Sequence, residues 1–235
     1  MGGVEGVSIV RPLIVAIDGP SGVGKSTTAR RLARRLGVPF LDTGAMYRAI
    51  GVKVLESGID PADQKGVEAV AAAVDVQLGH LDDGSFEVLL DGQPVEHRIR
   101  TPEVSEATSA ISVYPEVRRR LVALQQEAAR QFGGVLEGRD IGTHVFPDTP
   151  YKFYLDADPE VRGRRRYDEL VAAGRQVVYG DVVEDIRRRD HRDSTRADSP
   201  LTCLPSHIFI DASNLTVDEV VATMERAIEE RGGEG

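Results

Sequence analysis

Near the start of the chain, residues Leu13–Ser26 read LIVAIDGPSGVGKS. The apolar run at 13–17 is typical of a strand buried on both faces of a parallel sheet. The next residues predict a helix, because apolar side chains recur at helical spacing at Ala29, Leu32, Ala33 and Leu36. A buried strand, a glycine-rich loop and an amphipathic helix in this order predict the first unit of an alternating α/β fold.

The segment Gly19–Ser26, called the phosphate loop below, fits the pattern G-x-x-x-x-G-K-[ST] at every fixed position. Its glycines let the backbone wrap closely around a phosphate, which then faces backbone N–H groups and a helix N-terminus. The alternative, a glycine-rich turn that matches by chance, is disfavoured by the flanking strand and helix. We therefore predict a nucleoside-triphosphate site, with Lys25 at the β- and γ-phosphates and Ser26 on Mg²⁺. The residues predicted to bind the nucleoside triphosphate, which is the phosphoryl donor, are Gly19, Pro20, Ser21, Gly22, Val23, Gly24, Lys25, Ser26 and Thr27.

Composition restricts the class of protein. The chain has 235 residues, of which 41% are hydrophobic and 5% aromatic, and its formal net charge is −9. An acidic chain with few aromatic residues is a poor candidate for binding nucleic acid. Cys203 is the single cysteine, which excludes an intrachain disulfide, and no apolar run approaches the roughly 18 residues of a membrane span. We expect a cytoplasmic protein without a membrane partner.

Later segments extend the alternating pattern. Four more apolar runs predict strands at 38–41, 135–137, 152–155 and 207–210. Between 74 and 97 apolar and polar residues alternate, and Asp83-Gly84 and Asp91-Gly92 are turn signals, which together predict a small antiparallel sheet. Caps and prolines predict helix starts at Asp60-Pro61, Thr101-Pro102, Tyr114-Pro115, Asp158-Pro159 and the capping box Thr216-x-x-Glu219.

Five blocks of the sequence belong together: IDGPSGVGKS at 17–26, LDTGAMYR at 41–48, IRTPEV at 99–104, EGRDIGT at 137–143 and RDHRD at 189–193. In their order and approximate spacing, from residue 13 to about 225, they resemble bacterial cytidylate kinases. The first block is shared with P-loop proteins at large, whereas the second and fourth are far more diagnostic. A GTPase is disfavoured, because the chain lacks the guanine-reading Asn-Lys-x-Asp motif.

The resemblance implies a fold and a division of the chain. We expect a three-layer α/β/α P-loop kinase core with a five-stranded parallel sheet, formed by residues 12–42 and 108–235. Residues 43–107 would bind the nucleoside monophosphate and carry the small antiparallel sheet as an insert. The charge-dense segment 174–200 would form a helical lid within the core, and residues 1–11 a flexible tail. The family expectation for the oligomeric state is a monomer.

The resemblance also implies the reaction, in which the γ-phosphoryl group of ATP passes to CMP or dCMP with Mg²⁺. It places Thr43, Tyr47 and Arg48 at the acceptor phosphate, and Ser109 and Arg118 at the base. From the residues alone, Arg48 and Arg118 are also explained as solvated helix arginines, and Ser109 as a surface hydroxyl.

Arg139 and Asp140 follow a buried strand, so we expect them at the carboxyl edge of the sheet, where ligands bind. A carboxylate can accept from the N4 amino group of cytosine, and an arginine can donate to O2 and N3. Uracil presents a carbonyl instead of that amino group, so Asp140 together with Arg118 predicts a preference for cytosine. The alternative interpretation of Arg139 and Asp140 is a local salt bridge.

As a bare charge run, 174–200 would be a solvated helix face. The resemblance makes it a lid that closes over the phosphates and excludes water. It places Arg189 and Asp193 near the acceptor ribose, and Arg196 near the phosphates or the base. No general base is required, because the acceptor phosphate is already an anionic nucleophile. The expected catalytic residues, which would neutralise charge during transfer, are Lys25, Arg139, Arg189 and Arg196.

Two alternatives stay open at this point. One is another P-loop kinase that acts on UMP, AMP or a non-nucleotide alcohol, although Asp140 and the antiparallel insert argue against it. The other is an ATP-dependent regulatory or nucleic-acid-binding module, which the acidic charge balance disfavours. ATP turnover that needs no small acceptor would favour this second alternative.

Overall fold

The structure is a computed structural model that describes residues 12–81 and 85–232. In chain order, its strands are β1 (Ile14–Asp18), β2 (Phe40–Asp42), β3 (Val76–His80), β4 (Phe86–Leu90), β5 (Gln93–Pro94), β6 (Gly134–Gly138), β7 (Tyr151–Asp156) and β8 (Ile208–Asp211). Its helices are α1 (Lys25–Leu36), α2 (Thr43–Glu56), α3 (Gln64–Ala73), α4 (Pro102–Ile111), α5 (Pro115–Phe132), α6 (Pro159–Ala172), α7 (Tyr179–Thr195) and α8 (Val217–Gly232). A π-helical turn, Ile141–Val145, follows β6.

The central sheet has five strands in the order β2-β6-β1-β7-β8, and every neighbouring pair runs parallel. The predicted five-stranded parallel sheet is therefore confirmed. Asp18 at the end of β1 lies beside Gly138 of β6 and Tyr154 of β7. Because parallel strands end at the same edge, the segments that follow β1, β2 and β6 meet there.

Helices cover both faces of this sheet and divide the core in two. Val15 and Ile17 point to one side, where they pack with Leu32 of α1 and Met224 of α8. Ala16 points to the other side, toward a cluster built from α2, α4 and α5. Side chains that alternate along β1 therefore enter different cores, which confirms the three-layer α/β/α architecture.

The predicted antiparallel insert is also confirmed. Strands β3, β4 and β5 form a separate three-stranded sheet, in which both neighbouring pairs are antiparallel. Asp91 has φ of 50° and Gly92 has φ of 75°, the left-handed pair that a tight hairpin turn requires. The other turn signal, Asp83-Gly84, lies outside the described residues.

One predicted helix start is wrong. Helix α3 begins at Gln64 rather than after Asp60-Pro61, and its cap is Asp63, whose Oδ1 accepts from Gly66 N at 3.2 Å. The Asp60 side chain instead accepts from Ala62 N at 2.9 Å within a turn. Both aspartates can cap a helix. Because the side chain of Asp60 caps a turn instead, Asp63 is the residue that caps α3.

The other predicted helix starts are confirmed. Thr101 Oγ1 accepts from Val104 N at 3.2 Å at the start of α4, and α5 and α6 begin at the predicted prolines. The capping box at α8 forms in both directions, with Thr216 N donating to Glu219 Oε2 at 2.8 Å and Glu219 N donating to Thr216 Oγ1 at 3.3 Å.

Segment 174–200 contains helix α7, which buries Val182, Val183 and Ile186. Its movement as a lid, like the predicted limits of the substrate-binding region, stays a prediction. Residues 1–11, the predicted tail, lie outside the described part of the chain. No helix within 12–81 or 85–232 has the length and apolar character that crossing a membrane would require.

Candidate functional site

The phosphate loop has the backbone geometry that an anion site needs. Gly24 precedes α1 with φ of 98°. Gly19 has φ of 153°, and a Cβ added there would lie 2.1 Å from the carbonyl oxygen of Leu155. Both positions therefore require glycine. Lys25 follows directly, and its Nζ donates to Pro20 O at 2.7 Å, so the ammonium group lies back along the loop.

The charged form of Lys25 is disfavoured in this structure. Burial, assisted by the positive charge of Arg139, lowers the pKa of the lysine to about 7, although Glu137 and Asp193 act in the opposite direction. A buried ammonium group with incomplete compensation gains from an added anion. The phosphate loop is therefore electrostatically suited to a polyphosphate.

Glu137, at the end of β6, is absent from the predicted site residues. Its Oε1 accepts from Ser26 Oγ at 2.6 Å, and its backbone oxygen accepts from Thr43 Oγ1 at 2.7 Å. Burial and the nearby Asp42 carboxylate raise the pKa of Glu137. An acidic residue at the carboxyl end of a predicted parallel strand is the signal that could have identified it.

Ser26 and Glu137 supply a hydroxyl and a carboxylate beside the phosphate loop. Mg²⁺ prefers oxygen ligands, keeps several waters and is usually held by one or two protein groups together with substrate phosphates. This donor set fits that description. Within 12–81 and 85–232, no cluster of three or more His, Cys, Asp or Glu residues forms a separate metal site.

On the acceptor side, two predicted arginines are held by carboxylates. Arg48 NH2 donates to Asp42 Oδ2 at 2.8 Å, and Arg139 Nε donates to Asp193 Oδ2 at 2.7 Å. Thr43 begins α2, one turn before Arg48, because Asp42 is the cap of that helix. The structure therefore brings the predicted phosphate-binding residues to the same edge of the sheet as the phosphate loop.

Asp140 lies between two arginines, Arg118 and Arg196, and we call these three residues the acceptor cluster. Arg118 NH2 donates to Asp140 Oδ2, and Arg196 NH2 lies 3.2 Å from Asp140 Oδ1. All three residues are buried, with exposed fractions of 3%, 6% and 9% for Arg118, Asp140 and Arg196. This burial excludes the interpretation of Arg118 as a solvated helix arginine.

The partners in the cluster also exclude a local salt bridge between Arg139 and Asp140, because each pairs with a distant residue. Tyr47 borders the cluster, and its hydroxyl accepts from Arg118 NH1 at 3.3 Å. Burial raises the pKa of Tyr47 to about 12, so its hydroxyl keeps its proton. Tyr47 is thus a neutral neighbour of the charged cluster.

Helix α7 contributes the remaining predicted arginine and a residue that was not predicted. Arg189 NH2 lies 2.8 Å from Asp185 Oδ2, and burial lowers the pKa of Arg189. Arg192 NH1 donates to Ser109 Oγ at 2.5 Å, and its NH2 donates to Glu106 Oε1 at 3.2 Å. Ser109 is therefore a partner of α7 rather than a free surface hydroxyl.

In the part of the chain that the structure describes, several buried N–H groups of arginine make no hydrogen bond within the protein. Four arginines have a buried nitrogen atom without a hydrogen-bond partner: Arg48 Nε, Arg118 Nε, Arg189 Nε and Arg196 NH2. Buried donors without partners are rare in folded proteins. Their concentration among the predicted site arginines is what a site completed by an anionic ligand would show.

One cavity of about 960 Å³ connects these groups. All predicted donor-binding residues except Gly19 and Pro20 line it. So do all predicted acceptor-binding residues, which are Thr43, Tyr47, Arg48, Ser109, Arg118, Arg139, Asp140, Arg189, Asp193 and Arg196. The structure therefore places the phosphate loop and the acceptor cluster in one continuous space, as transfer between two nucleotides requires.

A phosphate loop at the edge of a five-stranded parallel sheet, facing an arginine-lined cavity, defines a small P-loop kinase. A family model described as cytidylate kinase matches residues 15–230. The chain belongs to the cytidylate kinase family.

Curated relatives are similar in sequence to this chain over nearly its full length. A protein of Corynebacterium glutamicum named cytidylate kinase is 50% identical over 218 residues, which cover 92% of this chain and 94% of the relative. One of Corynebacterium efficiens with the same name is 52% identical, over 89% of this chain and 91% of the relative. A crystal structure of an uncharacterized protein from Eubacterium ventriosum has a TM-score of 0.52 at 13% identity, covering 94% of this chain and 99% of that one. This last likeness concerns the fold alone.

Proposed function

We propose that this chain transfers the γ-phosphoryl group of ATP to CMP or dCMP, giving ADP and CDP or dCDP. Family membership supports the reaction class. The observation that carries the choice of base is the acceptor cluster, in which a buried carboxylate, Asp140, lies between two guanidinium groups and lines the cavity that also reaches Lys25. This arrangement can accept from N4 of cytosine and donate to its O2 and N3, which uracil cannot satisfy.

The donor occupies the phosphate loop. Its backbone N–H groups and the N-terminus of α1 surround the phosphates, and the Lys25 ammonium group exchanges Pro20 O for a phosphate oxygen. Mg²⁺, when bound, neutralises charge on the β- and γ-phosphates. Ser26 and Glu137 would hold it, since they already share a hydrogen bond beside the loop.

The acceptor phosphate is held by Thr43 and Arg48, and the base by Arg118, Asp140 and Ser109. Asp193 and Arg189 of α7 line the same cavity, and in this proposal they bind the ribose. Arg48, Arg118 and Arg189, which pair with protein carboxylates, each keep a buried Nε–H without a hydrogen-bond partner, and a nucleotide can accept from it.

The transfer is an in-line displacement. An oxygen of the acceptor phosphate forms a bond to the γ-phosphorus atom of ATP while the bond from that atom to the β–γ bridging oxygen breaks, and ADP leaves with the electron pair. Lys25, Arg139, Arg189 and Arg196 neutralise the negative charge on the transferred group. No side chain removes a proton, because the attacking oxygen is already anionic.

Segment 174–200 acts as the lid in this proposal. Its arginines cover the phosphates and exclude water, which would otherwise receive the phosphoryl group. The chain acts as a monomer in the cytoplasm, and its net charge of −9 argues against nucleic acid as a partner. Light scattering of the purified protein tests the oligomeric state.

Product chromatography tests the reaction. The protein is mixed with Mg-ATP and, in separate reactions, with CMP, dCMP, UMP or AMP. We expect rapid formation of CDP and dCDP and little product from UMP or AMP. Equal rates with UMP or AMP would favour a kinase of different acceptor specificity. ATP turnover without any acceptor would favour a regulatory or binding module.

A further inference from the structure

Helix α7 contacts the phosphate loop through a residue that the proposed reaction does not use. Asp190 Oδ1 accepts from the backbone N–H of Ser21 at 3.0 Å, and its Oδ2 accepts from Arg162 NH1. Ser21 is the third residue of the phosphate loop and lies 169 positions away in sequence. A side chain on the predicted lid is thus bonded directly to the backbone that binds the donor.

Arg162 of α6 also stabilises the contact between Ser21 and Asp190. Arg162 has a side chain that is 7% exposed. Its Nε donates to Ala157 O at 2.9 Å, and its NH1 donates to Ser21 O at 3.0 Å as well as to Asp190. Ser21 therefore has both its N–H and its C=O engaged by an ion pair from α6 and α7. Charge-assisted bonds of this kind are stronger and more directional than neutral ones.

One turn further along α7, a second carboxylate, that of Asp193, binds an arginine of the proposed acceptor site. Asp193 is three residues after Asp190, so both side chains lie on one face of the helix, about 4.5 Å apart along its axis. Asp193 Oδ2 accepts from Arg139 Nε at 2.7 Å. A single rigid helical turn therefore connects the phosphate loop to an arginine of the acceptor site.

We propose that Asp190 is a positioning residue that couples the two nucleotide sites through α7. When ATP orders the phosphate loop, the bond from Ser21 to Asp190 fixes this turn of α7, and Asp193 then holds Arg139 in place for the acceptor. By reciprocity, CMP bound at the acceptor site strengthens the binding of ATP by the same factor. Asp190 itself touches neither nucleotide.

The test is a thermodynamic cycle measured by calorimetry. The dissociation constant of CMP is determined with and without saturating AMP-PNP, a non-hydrolysable ATP analogue, and that of AMP-PNP with and without CMP. The coupling factor is the dissociation constant of one nucleotide measured without the other, divided by its dissociation constant measured with the other. It is typically about 5 to 150 in coupled systems. The variants are Asp190→Ala, which deletes both contacts, and Asp190→Asn, which keeps an oxygen for Ser21 N but loses the ion pair with Arg162.

Glu184→Gln is the matched control, because it removes a negative charge from an exposed position of the same helix. We expect the unaltered protein and this control to show the same coupling factor. We expect Asp190→Ala to bring the factor close to 1 while the affinity for CMP alone changes less than about 2-fold, and Asp190→Asn to give an intermediate value.

A merely structural role would lower the melting temperature and weaken both nucleotides without changing the coupling factor, and that result would overturn the proposal. A coupling factor of 1 in the unaltered protein would do the same. If the variants fail to fold, amide hydrogen exchange of the phosphate loop in the unaltered protein decides the matter: CMP alone should slow it, and no change refutes coupling. The inference rests on the proposed function, which fails separately if neither nucleotide binds the unaltered protein.

Discussion

Replacing Asp140 by Asn changes the acceptor cluster at its centre while keeping its shape. Asp140 is 6% exposed and pairs with Arg118 and Arg196. The amide of the variant keeps one oxygen acceptor but replaces the other oxygen by an NH2 group. That group cannot accept from N4 of cytosine, whereas it can donate to the carbonyl at position 4 of uracil.

Two magnitudes follow from this geometry. A base contact of this kind contributes about 1–3 kcal/mol of discrimination, which is roughly a 5- to 150-fold change in a ratio of kcat/KM. We expect the preference for CMP over UMP to fall by that factor. Leaving two buried guanidinium groups without their carboxylate costs about 3–5 kcal/mol of folding free energy. Because the Asn oxygen still accepts from one of them, we expect a loss near the lower value.

The assay measures ADP release with CMP and with UMP as acceptors, and urea unfolding measures stability. Asp198→Asn is the control, because Asp198 Oδ2 lies 3.5 Å from Arg118 Nε but its side chain is 43% exposed. It removes the same charge from the outer side of Arg118 and should leave the ratio of CMP to UMP unchanged. If Asp140→Asn folds and retains the full preference for CMP, the carboxylate does not select the base.

Three further predictions concern other parts of the molecule. Burial lowers the pKa of Lys25 to about 7, and bound phosphates favour its ammonium form, so ATP binding near pH 8.5 should take up about one proton and ATP binding near pH 6 close to none. Calorimetry in buffers of different ionisation enthalpy measures the proton uptake. Equal uptake at both pH values would contradict the prediction. Glu137→Gln should raise the Mg²⁺ concentration for half-maximal rate by about 10- to 100-fold, whereas an unchanged Mg²⁺ titration would exclude Glu137 from metal binding. Gly51→Ala should cost about 1–3 kcal/mol of unfolding free energy, since its Cβ would lie 2.7 Å from Thr108 Oγ1. Gly180→Ala, with open space around it, should instead gain up to about 1 kcal/mol; equal effects in urea would refute the crowding argument.

The sequence predicts the fold well where the signals are local. The phosphate loop, the five parallel strands and the antiparallel insert each depend on a short run of residues with its own turn or period. The helix start at Asp60 fails because Asp63 offers the same capping chemistry three positions later, and local pattern cannot rank two such caps.

The site is less accessible to sequence reasoning, because long-range packing decides it. Arg118 stands in a run of three arginines, but it shares the helical face of the buried Leu121 three positions on, and this spacing could have separated it from Arg119. The position of Glu137 at the carboxyl end of an apolar strand indicates only that it lies near the sheet edge, because its hydrogen bond with Ser26 depends on long-range packing. Asp190 meets Ser21 across 169 positions, and no local pattern indicates such a contact.

The ion pairs described above place protein carboxylates against four arginines to which the proposed nucleotides would bind. Arg48, Arg118, Arg139 and Arg189 each contact a carboxylate of the same chain. A tethered carboxylate acts at an effective concentration of millimolar order or higher, so a free inorganic phosphate or sulfate ion displaces it poorly. A nucleotide adds the contacts of its base and ribose to those of its phosphate, and therefore prevails. In the proposed function, these carboxylates would therefore favour whole nucleotides over small anions.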